Sequence, residues 1–88
     1  MAERYEIAVK VISQKGTCHA QQKVGDEWVM GRRSPEGICL IALHTMYPNL
    51  RVMMFGGVIP GDANPDIHEE TCPDTKNPVV YELRRLRK

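Results

Sequence analysis

Three cysteines are the residues of this chain best suited to chemistry. Cys18, Cys39 and Cys72 are separated by twenty and then thirty-two residues, so they form no Cys-x-x-Cys pair of the kind found in common metal sites. Three thiols cannot all pair within one chain, and cytosolic thiols stay reduced. Each cysteine could therefore be a small packed residue, a reactive thiol or a metal ligand, and the spacing leaves these alternatives open.

All three cysteines lie at expected boundaries between secondary-structure elements, where distant parts of a chain can meet. Our functional hypothesis is that Cys18, Cys39 and Cys72 converge as cofactor-binding residues. Three thiolates could bind zinc, with His19 or a water as the fourth ligand. They could instead hold an iron–sulfur cluster in which one iron is not bound by cysteine. Cys39 follows a helix-start pattern, and the positive end of a helix dipole favours the thiolate form, which is the better metal ligand.

Other site motifs are missing from the sequence, so we assign no catalytic residue. Gly56-Gly57 is not followed by the Gly-Lys-Ser/Thr of a phosphate loop, and no serine lies in a Gly-x-Ser-x-Gly elbow. The acidic segment 62–74 lacks the ligand order of a calcium loop. His68 lies in this polar run beside Glu69 and Glu70, and we expect its side chain to be solvated.

Length and composition indicate one soluble domain spanning residues 1–88. The chain is 42% hydrophobic and 26% charged, as in ordinary globular proteins. A net charge of +1 and the few aromatic residues argue against nucleic-acid binding, although residues 84–88 form a basic end. We see no signal peptide, and the apolar stretch 38–47 is too short to span a bilayer. The expected location is therefore the cytoplasm, without membrane attachment.

The apolar periodicity predicts strands near both ends of the chain. Alternation over residues 4–13 and again from Val79 onwards is typical of half-buried strands, and the matching patterns could pair. A second strand is expected around Trp28, Val29 and Met30, and a short one over residues 66–71. Residues 58–65 contain Pro-Gly and Asn-Pro dipeptides and are predicted to form a loop.

One helix is expected between these strands. Ser34, Pro35 and Glu36 form a helix-start pattern, and apolar residues continue to about Tyr47. Gly37 is a weak helix former, so the start could lie one or two residues later. Pro48 should stop or kink this helix because it lacks an amide hydrogen. One or two further turns could follow over residues 50–55, closed by the two glycines after them. The predicted fold is α+β, with a small antiparallel sheet of three or four strands and one principal helix packed on one face.

Three segments together give the chain a family resemblance: KVGDEW, PEGICLIALHTMYP and CPDTKNPVVYELRR. The chain resembles a family of small uncharacterised prokaryotic proteins of under 100 residues, which carry a Cys followed by KVGDE-aromatic, a PxGxC motif opening a helix, and a CPDxxNPV motif before the last strand. The resemblance implies that Cys18, Cys39 and Cys72 are the family's cysteines. This chain departs from the family's pattern at Gln21-Gln22, where the family often has Gly-His, and at Leu40, where the family often has proline. It implies a fold and a cysteine set, but no reaction.

Two functional hypotheses follow, from different classes of protein. The first is a small cytosolic module that binds a metal or an iron–sulfur cluster through its three cysteines, in a redox or accessory role. The alternative is a metal-free module for protein interaction or oligomerisation, with structurally buried cysteines. Under either hypothesis we expect self-association or a protein partner.

Overall fold

The computed structural model describes residues 4–87 and contains four strands and one helix. The final residue of the basic end, Lys88, and residues 1–3 lie outside the described residues. The element bounds, in chain order, are β1 Glu6–Gln14, β2 Glu27–Met30, α1 Leu40–Met54, β3 Ile67–Thr71 and β4 Val79–Leu86. The prediction of an α+β fold is confirmed.

The four strands form one antiparallel sheet in the order β2-β1-β4-β3. The two central strands, β1 and β4, are those whose matching alternation predicted that they could pair. Every second residue of each is buried on one face, because successive side chains of a strand point to opposite sides. This face consists of Ile7, Val9 and Val11 from β1, and Val79, Tyr81 and Leu83 from β4.

Helix α1 covers this face of the sheet. Its buried residues recur at three- and four-residue spacing, as expected of a helix with one apolar side against a core. They are Ala42, Met46, Leu50, Met53 and Met54. Together with the buried face of the sheet they form one hydrophobic cluster.

The helix begins later than the sequence predicted. Ser34-Pro35-Glu36 is not its start: α1 begins at Leu40, with Cys39 as the N-cap residue. Gly37 has φ +95°, a left-handed conformation that a right-handed helix cannot contain. The chain before Gly37 is therefore a loop, although its local sequence favours a helix.

Pro48 lies inside α1 and does not stop it. The proline forfeits one backbone hydrogen bond, but Leu50, Met53 and Met54 on the following turns are buried against the sheet. The burial of these side chains outweighs the local preference to stop. The helix ends as expected at the glycines: Gly56 N donates to Met53 O and Gly57 N to Val52 O, with Gly56 at φ +82°, which is the Schellman arrangement.

The prediction that the His68 side chain is solvated is wrong. Its side chain is 15% exposed, with Nδ1 2.8 Å from Asp62 Oδ2 and Nε2 3.1 Å from Glu70 Oε1. The amide of Asn49, on α1, lies against both His68 and Glu70. The side chains of residues 68 and 70 lie on the face of β3 that is turned towards the helix, because alternate residues of a strand share a face. The register of β3 against β4 decides which residues these are.

Over residues 4–87, no helix is both long enough and apolar enough to cross a membrane.

Candidate functional site

The three cysteines line one partly open cavity at the end of the sheet. Its volume is about 180 Å³, several times what one water molecule requires. The end of β1 and the start of β4 are paired through Gln14 and Val79, and Thr71 pairs with the next residue of β4. The chain segments that follow β1 and β3 therefore leave the same end of the sheet, beside the N-terminus of α1.

Cys18 lies in the loop after β1, which is held against the turn that precedes β4. Lys15 N donates to Pro78 O at 3.0 Å, and Thr17 N donates to Asn77 Oδ1 at 2.9 Å. Gly16 has φ +68°, and a Cβ there would clash with the Asn77 side chain. Glycine thus permits the close approach that brings Cys18 to the Cys72 side of the cavity.

Cys72 opens the turn over residues 72–79 and closes it through its backbone and its sulfur. Cys72 N donates to Val79 O at 2.9 Å, and Val79 N donates to Cys72 Sγ at 3.2 Å. Inside the turn, Asp74 Oδ1 accepts hydrogen bonds from the backbone amides of Asn77 and Lys76. These bonds lower the pKa of the Asp74 carboxyl, with the Asn77 amide as the largest cause.

Cys39 is positioned by Gln22, a polar residue that is only 5% exposed. Gln22 Oε1 accepts from Cys39 N at 3.2 Å, and Gln22 Nε2 donates to Gly37 O at 3.0 Å. The Cys39 side chain makes no capping hydrogen bond. The Gln22 side chain bonds the backbone amide of this N-cap residue, which is the amide that the N3 side chain bonds in a capping box. The thiol is left free at the N-terminus of the helix, where the dipole favours negative charge.

Tyr81 lines the cavity from the sheet side and is buried. Desolvation raises the pKa of its phenol, and Cys39, Cys18 and Cys72 raise it further, in that order. The hydroxyl donates to Gln22 Oε1 at 3.5 Å. Tyr81 is therefore a neutral hydrogen-bond donor in the physiological range, and it lines the same cavity as all three thiols.

All four residues predicted to form the site line this cavity: Cys18, Cys39, Cys72 and His19. The cysteines are partly buried and unpaired, and His19 is exposed. Over residues 4–87, however, no group of three or more His, Cys, Asp or Glu side chains is placed to hold a metal ion. The thiols therefore share a cavity without surrounding a common point, and the metal site stays a prediction.

Sequence reasoning missed Gln22, Asn77 and Tyr81, on which the geometry of the cavity depends. Asn77 precedes Pro78, a dipeptide typical of loops, and the alternation of β4 placed Tyr81 on one face with Val79 and Leu83. Neither pattern indicates a neighbouring thiol. Gln22 carried no signal at all, because a glutamine in a polar loop is normally solvated.

Comparison with known proteins adds no relative: no family model, no curated protein and no solved structure matches this chain. The family resemblance of its three motifs therefore stays a prediction.

Proposed function

We propose that this protein is a small cytoplasmic module that binds a soft metal ion or an iron–sulfur cluster through Cys18, Cys39 and Cys72, in a redox or accessory role. The observation that carries this proposal is the shared cavity. Three cysteines from widely separated segments line the same 180 Å³ space. Thiolates are the ligands that select zinc, copper(I) and iron–sulfur clusters.

The surroundings of the thiols suit ligands that carry negative charge. Cys39 stands at the N-terminus of α1, and Cys72 Sγ accepts a hydrogen bond from Val79 N. Both arrangements place a positive partial charge of the backbone beside a sulfur. His19 lines the same cavity and is available as a fourth, nitrogen ligand.

Metal analysis of the full chain tests the proposal. The protein is purified without oxygen, and its iron, zinc and acid-labile sulfide are measured per chain. We expect bound metal in the native protein and in Thr75→Ser, a change at an exposed position of the same turn that does not line the cavity. Cys39→Ser should lose the metal while keeping its far-ultraviolet circular dichroism.

A native protein that holds no metal as isolated, and takes up neither zinc nor iron with sulfide in vitro, would contradict the proposal.

A second candidate function, self-association without a metal, is favoured by the exposed apolar side chains of α1 and its C-cap. They are Leu40 at 76% exposure, Ile41 at 60%, Tyr47 at 54% and Phe55 at 47%. Large apolar groups on one surface are typical of interaction sites. Under this function the cysteines are only packed residues.

Sedimentation of the triple Cys→Ser variant tests this second function. A colourless native protein that forms oligomers, and keeps them in the triple variant, would favour it. Tyr47→Lys, at a position of α1 that does not line the cysteine cavity, should then dissociate the oligomer. Val24→Lys, at an exposed apolar position (61%) in the loop between β1 and β2, should not. A monomer at all concentrations would rule it out.

A further inference from the structure

A second cavity lies at the other end of the sheet from the three thiols. Met30, the last residue of β2, pairs with Ile7 near the start of β1, whereas the cysteine cavity lies where β1 ends and β4 begins. The second cavity lies between the loop that follows β2 and one side of α1, and its volume is about 250 Å³. Within residues 4–87, the two cavities share no lining residue.

The floor of the second cavity is apolar. Its most buried lining residues are Met30 and Leu50, each 2% exposed, and Met54, which is 8% exposed. Leu43 is half-buried beside them, and Tyr47 forms an exposed wall. An apolar cavity of about 150 Å³ is large enough to bind benzene, and methionine side chains adapt to the shape of a neighbouring group. The floor therefore has room for an apolar group of at least that size.

The mouth of the second cavity is positively charged. Arg32 and Arg33 line it from the loop after β2, and both are exposed. Within residues 4–87, no carboxylate lines the cavity, and neither guanidinium has an ion-pair or hydrogen-bond partner. Arg85 and Arg87, in contrast, both bond Asp66. Two unpaired cations beside an apolar floor are complementary to an anion that carries an apolar group.

We propose that this cavity binds a small organic anion, with its apolar part on the floor and its anionic group between Arg32 and Arg33. A guanidinium stays charged in the physiological range and bonds an anion such as a carboxylate through two parallel N–H groups. The Ser34 hydroxyl, which also lines the cavity, is available as a further donor. The site goes beyond the proposed metal function, because no thiol lines it.

Nuclear magnetic resonance of the nitrogen-15-labelled full chain tests the proposal, with octanoate as the probe. Octan-1-ol supplies the apolar part alone, and acetate supplies the charge alone. We expect octanoate to bind about tenfold more tightly than octan-1-ol, and acetate to bind more weakly than either. The amide signals of residues 30–34 and 43–54 should shift with octanoate, and those of residues 16–20 and 72–79 should not.

Three variants separate the two parts of the site. Arg32→Met/Arg33→Met keeps the apolar stems and should weaken octanoate about tenfold without changing octan-1-ol. Lys15→Met/Lys23→Met lowers the net charge equally at two exposed positions outside this cavity, and it should bind octanoate as the native chain does. Tyr47→Ala removes the exposed wall and should weaken both probes. Circular dichroism checks that each variant is folded.

The proposal is overturned if octanoate binds no more tightly than octan-1-ol, or binds equally well to the double arginine variant. Shifts confined to the thiol end of the sheet would overturn it too. So would a native chain that binds no probe, including one in which a second copy of the chain covers this face. Cys39→Ser should bind octanoate as the native chain does, so a failure of the metal proposal is distinguishable from a failure of this one.

Discussion

Gln22 is the residue on which the position of Cys39 depends. Its side chain bonds Cys39 N and Gly37 O and is almost completely buried. When a buried polar group loses its hydrogen-bond partner, the loss of stability exceeds the net contribution of the bond, because water cannot reach the group that is left unpaired. The start of the helix and the entry of the thiol into the cavity are thus tied to one amide side chain.

Replacement of Gln22 by leucine should destabilise the protein. Gln22→Leu keeps the size of the side chain but leaves the Cys39 amide and the Gly37 carbonyl without their partner, at a cost of about 1–3 kcal/mol. Urea unfolding followed by circular dichroism measures the change. Lys23→Ala, at the exposed neighbouring position, should stay within about 0.5 kcal/mol. Equal stability of the two variants would show that the Gln22 bonds contribute nothing.

Arg85 is a second buried polar residue, and it ties the loop after the helix to the sheet. Its side chain is 1% exposed and pairs with Asp66 at 3.0 Å. It also donates to the carbonyl oxygens of Met53, Gly57 and Pro65. One guanidinium therefore satisfies several backbone groups that have little access to water.

Removal of this guanidinium should cost far more than removal of its exposed neighbour. Arg85→Met keeps the apolar part of the side chain but leaves the bonded carbonyl oxygens without a donor. We therefore expect the free energy of unfolding to fall by about 3 kcal/mol. Arg87 bonds the same Asp66, but its side chain is 55% exposed, so Arg87→Met should cost much less stability than Arg85→Met, because an ion pair in water contributes little. Urea midpoints of the two variants provide the comparison. A loss of similar size in both would contradict the argument from burial.

At the scale of elements, the end of α1 is decided by glycine. Gly56 has φ +82°, a conformation that costs a residue with a Cβ about 1 kcal/mol. Its amide satisfies one carbonyl of the last helical turn. The helix can therefore stop at this point and turn back towards β3.

Gly56→Ala should destabilise the protein by about 1 kcal/mol, since alanine must adopt the left-handed conformation. The matched control is Gly31→Ala, because Gly31 has no positive φ and its added Cβ would meet only Glu6 Oε2 at an ordinary 3.5 Å. Alanine there should be neutral or slightly stabilising. Thermal unfolding of both variants tests this, and a neutral Gly56→Ala would contradict the Schellman assignment.

The turn over residues 72–79 has a predicted dependence on pH. The pKa of Asp74 lies below the ordinary value of an aspartate because backbone amides bond the ionised carboxylate. A carboxyl whose folded pKa is depressed contributes stability at pH above its unfolded pKa, and this contribution is lost as the pH falls through the folded pKa. Stability should therefore decline as the pH drops below about 4.

Asp74→Asn isolates this contribution, because asparagine keeps the shape but does not titrate. We expect the variant to lose less stability than the native protein between about pH 4 and pH 2. Asp66 also has a lowered pKa, chiefly through its hydrogen bond with Arg87, so part of the acid sensitivity should remain. Urea midpoints across this range measure both effects. Identical pH profiles would show that the turn does not depend on the charge.

At the scale of the whole molecule, the cavity joins three segments that are distant in the chain. The loop after β1, the start of α1 and the turn before β4 each supply one cysteine. A ligand bound to all three thiols stabilises the folded state, because the unfolded chain does not hold the thiols together.

A bound metal centre should therefore raise the unfolding temperature. At a free ligand concentration of about 100 times the dissociation constant the gain is about 2.7 kcal/mol, which corresponds to about 10 °C or more for a domain of this size. Scanning calorimetry before and after anaerobic chelation measures the shift. Triple Cys→Ser should be indifferent to the chelator, and a native protein equally indifferent would count against a structural role for the metal.

The sequence by itself determined the local patterns of this protein. Alternation indicated β1 and β4 and their buried faces, because the strand period is carried by neighbouring residues. The glycines after residue 55 indicated the helix end, because a residue without a Cβ adopts the left-handed backbone there at the least cost. These features depend on a few adjacent residues, so they can be read without knowledge of the rest of the chain.

Only the tertiary structure decided the features that depend on distant contacts. The helix continues through Pro48 because its later turns are buried on the sheet, and His68 is withdrawn from solvent because of the register of β3. The three thiols line one cavity because β1 and β3 end, and β4 begins, at the same end of the sheet, beside the start of α1 that Gln22 bonds. Spacing along the chain contains no information about such pairings, since they follow from strand order and packing, which emerge only when the whole chain folds.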